Sequence, residues 1–402
     1  MKKRKNKIAS IFLILIFGIN SSFSQKIHLP KEILTKEDAI PNMMKNISKE
    51  ILKNDKKETT TSYYNSIFHV QLLAKEYKKA NNSIDKYIDS YTIDKLRTGR
   101  VFLHKVFAEA NLLSQEKQIP FKNAFKETFI KTYSDLEDVL KPEVTRSINN
   151  HIKVTDLKNR FRKALTTYKN NDSLSINNAK DLCYKYSEYY IYSKVGELAQ
   201  HILTEEDRKI FDIQENVVIK TIDGGEVTAL LIRKKETKRK LPAIFIYNIY
   251  AGAYDFEVAK RAAVNGYIGV AVNTRGKRLS KNNILPFEFD GKDSYHIIDW
   301  ISKHKWCNGD IGMMGGSYLG FSQWAATKKM HPALKTIVPQ VAVGIGIDYP
   351  MQNNVFMSYM LQWINYVRNN KFTDQNAFAS NAYEEAYNTY CLLYTSPSPR
   401  DA

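Results

Sequence analysis

IGMMGGSYLG, residues 311–320, is the stretch on which the fold turns. Residues 311–314 form an apolar run suited to a strand covered on both faces, and residues 318–330 read as a helix. Only Gly315-Gly316-Ser317 separates the two. A strand-to-helix turn this tight forces its central residue into strained backbone geometry, and the flanking glycines remove the Cβ atoms that would clash. The turn therefore reads as a nucleophile elbow. It lifts the Ser317 hydroxyl above the sheet and points the Tyr318 amide at the place where an acyl oxyanion forms. The helix N-terminus beneath adds partial positive charge. A Gly-x-Ser tripeptide by itself is common in loops, and the strict G-x-S-x-G spacing is broken, since Leu319 takes the last Gly position and Gly320 follows it. The strand before and the helix after favour the elbow over a merely structural turn.

Upstream, strands and helices alternate. Residues 217–221 and 227–233 are β-branched runs joined by Asp223-Gly224-Gly225, a hairpin composition. AIFIY at 243–247 and YIGVAVN at 267–273 read as buried strands, with a helix over 256–265 between them that Gly266 stops. A helix over 291–303 precedes the elbow strand, and another strand follows at 334–338. This alternation builds a parallel sheet with helices on both faces. Residues 25–203 differ: they are rich in Lys, Glu and Asn, nearly free of Gly, and carry apolar residues at helical spacing, as in Leu182, Tyr186, Tyr189, Tyr190 and Val195. They predict a mostly helical N-terminal region with a loop at 170–178, the change of character coming near Thr204. The aromatic stripe is read as core, and no fixed repeat is present.

The elbow, preceded by Trp306-Cys307-Asn308-Gly309-Asp310 and followed by Gln323-Trp324-Ala325-Ala326, resembles that of the CocE/NonD and X-Pro dipeptidyl-peptidase-like serine hydrolases, where G-x-S-Y-x-G is the usual form. Gly266-Tyr267 through Arg275-Gly276 is similar to that family's G-Y-x-V-x-x-x-D-T-R-G segment, with Asn273 in place of the usual Asp. The resemblance covers about residues 217–350 and implies an α/β-hydrolase fold, incomplete here, with Ser317 as nucleophile and no metal or organic cofactor. Asn248-Ile249-Tyr250 resembles the family's N-P-Y type segment, which implies that the Tyr250 hydroxyl completes the oxyanion hole beside the Tyr318 amide. Ile249 stands where Pro is usual, and Tyr247 and Tyr254 remain alternatives. The implied partner is a small-molecule or peptide substrate with an ester or amide bond: X-Pro dipeptides, α-amino acid esters and β-lactam side-chain amides all fit. The alternative is a non-catalytic secreted binding protein on the same scaffold.

In this fold the triad runs Ser, acid, His. His331 is the one later histidine, at the far end of the elbow helix and about 20 Å from Ser317 at about 1.5 Å per residue, so it is excluded as the base. His296 and His304 precede the serine on or beside a predicted surface helix; Asp348 and Asp374 read as loop residues near a cap. Acid and base are expected beyond Tyr390, as is the C-terminal β-sandwich the resemblance implies, and the 402-residue chain itself is expected to be inactive.

Both ends are set apart. Five basic residues in the first seven, the apolar run 8–19, and small residues Ser22 and Ser24 predict a signal peptide over 1–24 and a secreted or periplasmic protein. An apolar run this short falls below the ~20 residues a spanning helix needs. CLLYTSPSPRDA at 391–402 reads as the translation of a transposase-type library adapter, and is expected to be foreign. The expected division is thus signal peptide 1–24, helical region 25–203, first part of the catalytic core 204–347, start of a helical cap 348–390, and artefact 391–402. A composition of 43% hydrophobic and 25% charged residues excludes disordered and collagen-like classes. Of the net charge of +18, five lie in the first seven residues, and the surplus of 13 left when both ends are set aside is spread along the chain without an aromatic-interleaved basic motif, so nucleic acid is not an expected partner. With Cys391 set aside, Cys183 and Cys307 make neither a disulfide framework nor a zinc motif.

Overall fold

The computed structural model describes residues 26–30, 36–90, 97–149, 154–353, 355–357, 359–368 and 371–373. The expected signal peptide, residues 374–390 of the expected cap with Asp374 among them, and the stretch 391–402 lie outside them.

The N-terminal region is helical. A short strand β1 (Lys26–His28) precedes helices α1 (Ile40–Lys53), α2 (Thr61–Leu73), α3 (Tyr77–Asp89), α4 (Arg97–Lys117), α5 (Phe121–Ser134), α6 (Lys141–Asn149) and α7 (Val154–Thr167). Strand β2 (Ser173–Ser175) then pairs antiparallel with β1, and α8 (Ile176–Ile210) follows. Helix starts obey local chemistry: Thr60 accepts the Tyr63 amide ahead of α2, and Ser175 accepts the Asn178 amide ahead of α8. The apolar stripes meet in two cores, one around Phe102, Phe125, Phe129 and Tyr133, the other around Met44, Ile47, Leu182 and Tyr186. Helix α8 contributes to both. The expected loop at 170–178 therefore includes a strand and the first turn of α8. The helix also continues past Thr204 to Ile210, because residues 204–210 contain no helix breaker and place Arg208 and Lys209 in the last turn, where the dipole favours them.

The second region is a six-stranded sheet. Its elements are β3 (Phe211–Lys220), β4 (Glu226–Lys234), β5 (Leu241–Asn248), α9 (Ala253–Val264), β6 (Ile268–Asn273), α10 (Asp290–Ser302), β7 (Cys307–Gly316), α11 (Tyr318–Thr327) and β8 (Leu334–Gln340). The order is β3-β4-β6-β5-β7-β8. The β3–β4 hairpin joins antiparallel, and β6, β5, β7 and β8 run parallel. This is an α/β-hydrolase arrangement. The parallel strands are apolar on both faces because both are covered: Phe245, Tyr247, Val270, Val272 and Met313 face one core, Ile246 and Ala271 the other. Gly269 is needed where α9 crosses β6, since a Cβ there would lie 2.0 Å from the Ala259 carbonyl oxygen. After β8 come the two-residue strands β9 (Met351–Gln352) and β10 (Val355–Phe356) and the helix α12 (Tyr359–Arg368). Among the described residues no helix is long and apolar enough to cross a membrane.

Strand β5 has β6 on one side and β7 on the other, so the chain leaves it in one direction and returns on the opposite side. At such a switch point the carboxyl ends of neighbouring strands diverge and open a crevice. Tyr250 follows the end of β5, and Ser317 follows the end of β7.

A buried ion pair joins the two regions. Lys260 of α9 is fully enclosed and donates to Asp207 of α8 at 2.7 Å, Tyr133 of α5 at 2.7 Å and Thr145 of α6 at 2.6 Å. Tyr133 also donates to Asp207, at 2.5 Å. Burial pulls the Lys260 ammonium down to about 8, against the opposing pull of Asp207. Lys260→Met strands the Asp207 carboxylate and is expected to destabilise the protein by about 3–5 kcal/mol in urea unfolding, with Lys260→Met/Asp207→Leu recovering much of the loss. An unchanged urea midpoint for the single variant would show that the junction carries no such weight.

Candidate active site

Ser317 occupies the strand-to-helix turn with φ 56° and ψ −120°, a left-handed backbone that a side-chain-bearing residue adopts only under constraint. The constraint is visible on both sides. The Ser317 amide donates to the Gln340 carbonyl at 3.0 Å, while its own carbonyl accepts from Gly320 and Phe321, starting α11. Gly315 has φ 137°, and a Cβ there would lie 2.6 Å from that of Leu319. At Gly320 a Cβ would lie 2.8 Å from the Ala342 Cα. The shifted glycine of the broken motif thus has a packing reason: Leu319 turns into the core, and the close approach to the loop after β8 falls one residue later. Gln323, buried on α11, donates to the carbonyls of Gly315 and Leu319 and accepts the Val338 amide at 2.8 Å, stapling the elbow to β8. No sequence signal had marked it for this role.

Ser317 itself is exposed. As first residue of α11, Tyr318 has an amide with no intrahelical acceptor, directed outward from the helix start beside Ser317. The Tyr318 side chain points the other way, into the core, where its hydroxyl accepts the Phe287 amide at 3.2 Å.

The structure separates the three tyrosines near the end of β5. Tyr250 lies beside the elbow, its ring centroid 6.3 Å from that of Tyr318, and burial raises its phenol pKa. It is held in place twice: its amide donates to the Asn248 side chain at 2.9 Å, and its hydroxyl accepts from Trp363 Nε1 of α12 at 2.9 Å. Tyr247 is buried away from Ser317, donating to Asp293 at 2.8 Å, and Tyr254 is 47% exposed on α9. Trp363 was not singled out by sequence, because its contact with Tyr250 spans 113 residues and α12 carries no motif. Its ring stacks over Phe287 and Tyr318, so the wall of the crevice is aromatic.

Asn273 is explained by its neighbours. It donates to Asp255 at 3.1 Å and accepts from Arg278, which also pairs with Asp255 at 2.8 Å. An Asp at 273 would set two carboxylates against each other, a costly arrangement in a buried site.

Among the described residues no histidine is bonded to Ser317. His331 faces Asp299 at 3.5 Å at the far end of α11, His304 lies on the Trp300 carbonyl, and His296 packs edge-on against Tyr295. Asp348 accepts the Gly344 amide at 2.7 Å in an exposed loop. One described set of residues has the spacing to hold a metal ion, His69, His104 and Glu188, and it lies in the helical region rather than at the elbow.

Comparison with known proteins bears on this region. Residues 223–398 match the model of the X-Pro dipeptidyl-peptidase (S15) family, a range that runs into the stretch read as adapter. Cocaine esterase of Rhodococcus sp. is 30% identical over 139 residues, covering 33% of this chain and 24% of that protein. Xaa-Pro dipeptidyl-peptidase of Lactobacillus helveticus is 28% identical, over 22% of this chain and 13% of that protein. The chain thus spans a quarter or less of these relatives. Among solved structures, an α-amino acid ester hydrolase aligns over 40% of this chain and 31% of its own at 23% identity, TM-score 0.34. A CocE/NonD family hydrolase from Staphylococcus aureus aligns over 32% and 27% at 22% identity, TM-score 0.29. The family match and the relatives support a CocE/NonD, X-Pro dipeptidyl-peptidase-like hydrolase over this segment.

Asp290, beneath the elbow, has one carboxyl oxygen without a hydrogen-bond partner, and burial pushes its pKa up to about 7. An unfolded Asp titrates near 4. Between about pH 4 and 7 the folded state binds the extra proton, so this group's contribution to stability is present at low pH and lost as pH rises through 7. Asp290→Asn is therefore expected to melt well above the parent at pH 8 and close to it at pH 5. Thermal unfolding at the two pH values checks this; the same difference at both would show that Asp290 does not titrate in the fold.

Proposed function

We propose that this X-Pro dipeptidyl-peptidase/CocE-like region belongs to an exported serine hydrolase that cleaves an ester or amide bond through an acyl-serine intermediate. The observation that carries the reading is the strained, exposed Ser317 with Tyr250 beside the elbow. Ser317 Oγ attacks the carbonyl carbon as a base removes its proton, and the oxyanion forms between the Tyr318 amide and the Tyr250 hydroxyl. A neutral phenol suits this task. It donates without competing as a base, and burial keeps it protonated by raising its pKa. Collapse of the tetrahedral intermediate expels the alcohol or amine, and water then releases the acid. The base and its acid are assigned to chain beyond Tyr390, and the substrate is a small ester or a peptide of the classes allowed above.

Three results are expected. In a chain extended in frame beyond Tyr390, Ser317→Ala abolishes hydrolysis of an activated ester and of a dipeptide anilide, and a serine-directed phosphonate labels Ser317. Tyr250→Phe lowers kcat by about 10²–10³ with a smaller change in KM. The 402-residue chain turns over no faster than its own Ser317→Ala variant. An extended chain whose Ser317 resists the phosphonate would leave the scaffold as a binding protein. Export is supported by the N-terminal pattern alone, and it predicts a mature protein beginning at Gln25, read by terminal sequencing of the secreted or periplasmic fraction.

A further inference from the structure

The helical region holds polar side chains that acyl transfer does not use. His69 of α2, His104 of α4 and Glu188 of α8 line a cavity of about 450 Å³, and each offers a ligand atom within 4.8 Å of the other two. Both histidines are buried, at 2% and 3% exposure. The tautomer of His69 follows from its neighbour. Ser187 Oγ donates to the Tyr184 carbonyl at 3.0 Å, so it accepts from His69 Nδ1 at 2.5 Å, and Nε2 is left with its lone pair free. His104 Nε2 lies 2.7 Å from Glu188 Oε1, yet neither of its ring nitrogens makes a well-directed hydrogen bond. Leaving buried polar atoms unsatisfied is costly. A cation between two imidazoles and a carboxylate removes that cost.

We propose that His69, His104 and Glu188 bind a divalent transition-metal ion of the zinc class, with a fourth position open to the cavity. Two nitrogens and one carboxylate oxygen are the donors of three-ligand sites that keep such a position. Ser187 plays the outer partner that orients a metal-bound imidazole. Around zinc at about 2.1 Å the donors stand about 3.4 Å apart, so side-chain movements of about 1 Å close the site. Arg100 and Arg146 on the cavity wall favour water or a small anion as the fourth ligand.

The test strips the whole chain with a chelator, dialyses it against zinc or cobalt, and measures bound metal by mass spectrometry. Stoichiometric uptake and a visible tetrahedral cobalt spectrum are expected. His69→Ala and His104→Ala lose both, and Ser187→Ala, which keeps all three donors, weakens affinity about 10–100-fold. His201→Ala, an exposed histidine beside Glu205, leaves uptake unchanged and so separates the site from surface binding. Should the histidine variants fail to fold, the parent's cobalt spectrum and the Ser187→Ala affinity decide. No metal uptake by the parent, no visible cobalt band, or a Ser187→Ala affinity equal to the parent's overturns the proposal and leaves a hydrogen-bonded core.

Discussion

The backbone of Ser317 is the constraint around which the second region is arranged. A side-chain-bearing residue at φ 56° costs about 1–3 kcal/mol, and it persists only where the surroundings over-determine it. Here the determinants come from several elements: the parallel ladder between β7 and β8, the Gln340 carbonyl that accepts the Ser317 amide, the Gln323 side chain, and two glycines that admit neighbours at contact distance. Together they put the hydroxyl on a rigid strand end rather than on a loop.

The same rigidity is extended sideways. Because β5 lies beside β7, the residues that follow β5 emerge next to Ser317, and the Asn248 side chain fixes the turn that presents Tyr250. Trp363 then closes the arrangement from α12. Around this crevice the buried charges are neutralised locally: Arg275 by Asp293 and Asp223, Arg278 by Asp255. Asp290 lacks such a cation, and it is the carboxyl that burial drives upward. The helical region is held to this core by Lys260, whose charge is satisfied only by groups from three N-terminal helices.

The elements of the sheet were legible because each is decided locally. Strands 243–247 and 267–273 are apolar throughout, Gly266 ends α9, and the elbow needs its glycines within a few residues of the serine. Two boundaries were less legible. The run 204–210 suits a helix as well as a linker, and packing on β3 and the Lys260 pair extended α8 through it. Residues 173–175 look like loop until β1, far away in sequence, supplies the partner strand.

The sequence by itself determined the alternation of strand and helix, the hairpin, the elbow and the identity of its serine, since periodicity, β-branching and glycine placement act over a few residues. Only the tertiary structure decided that Tyr250 lies beside the elbow, that Trp363 and Gln323 brace that region, that Asn273 answers Asp255, and that His69, His104 and Glu188 share one cavity. These depend on strand order and helix packing. Side chains tens to more than a hundred residues apart are neighbours only after the cores have closed.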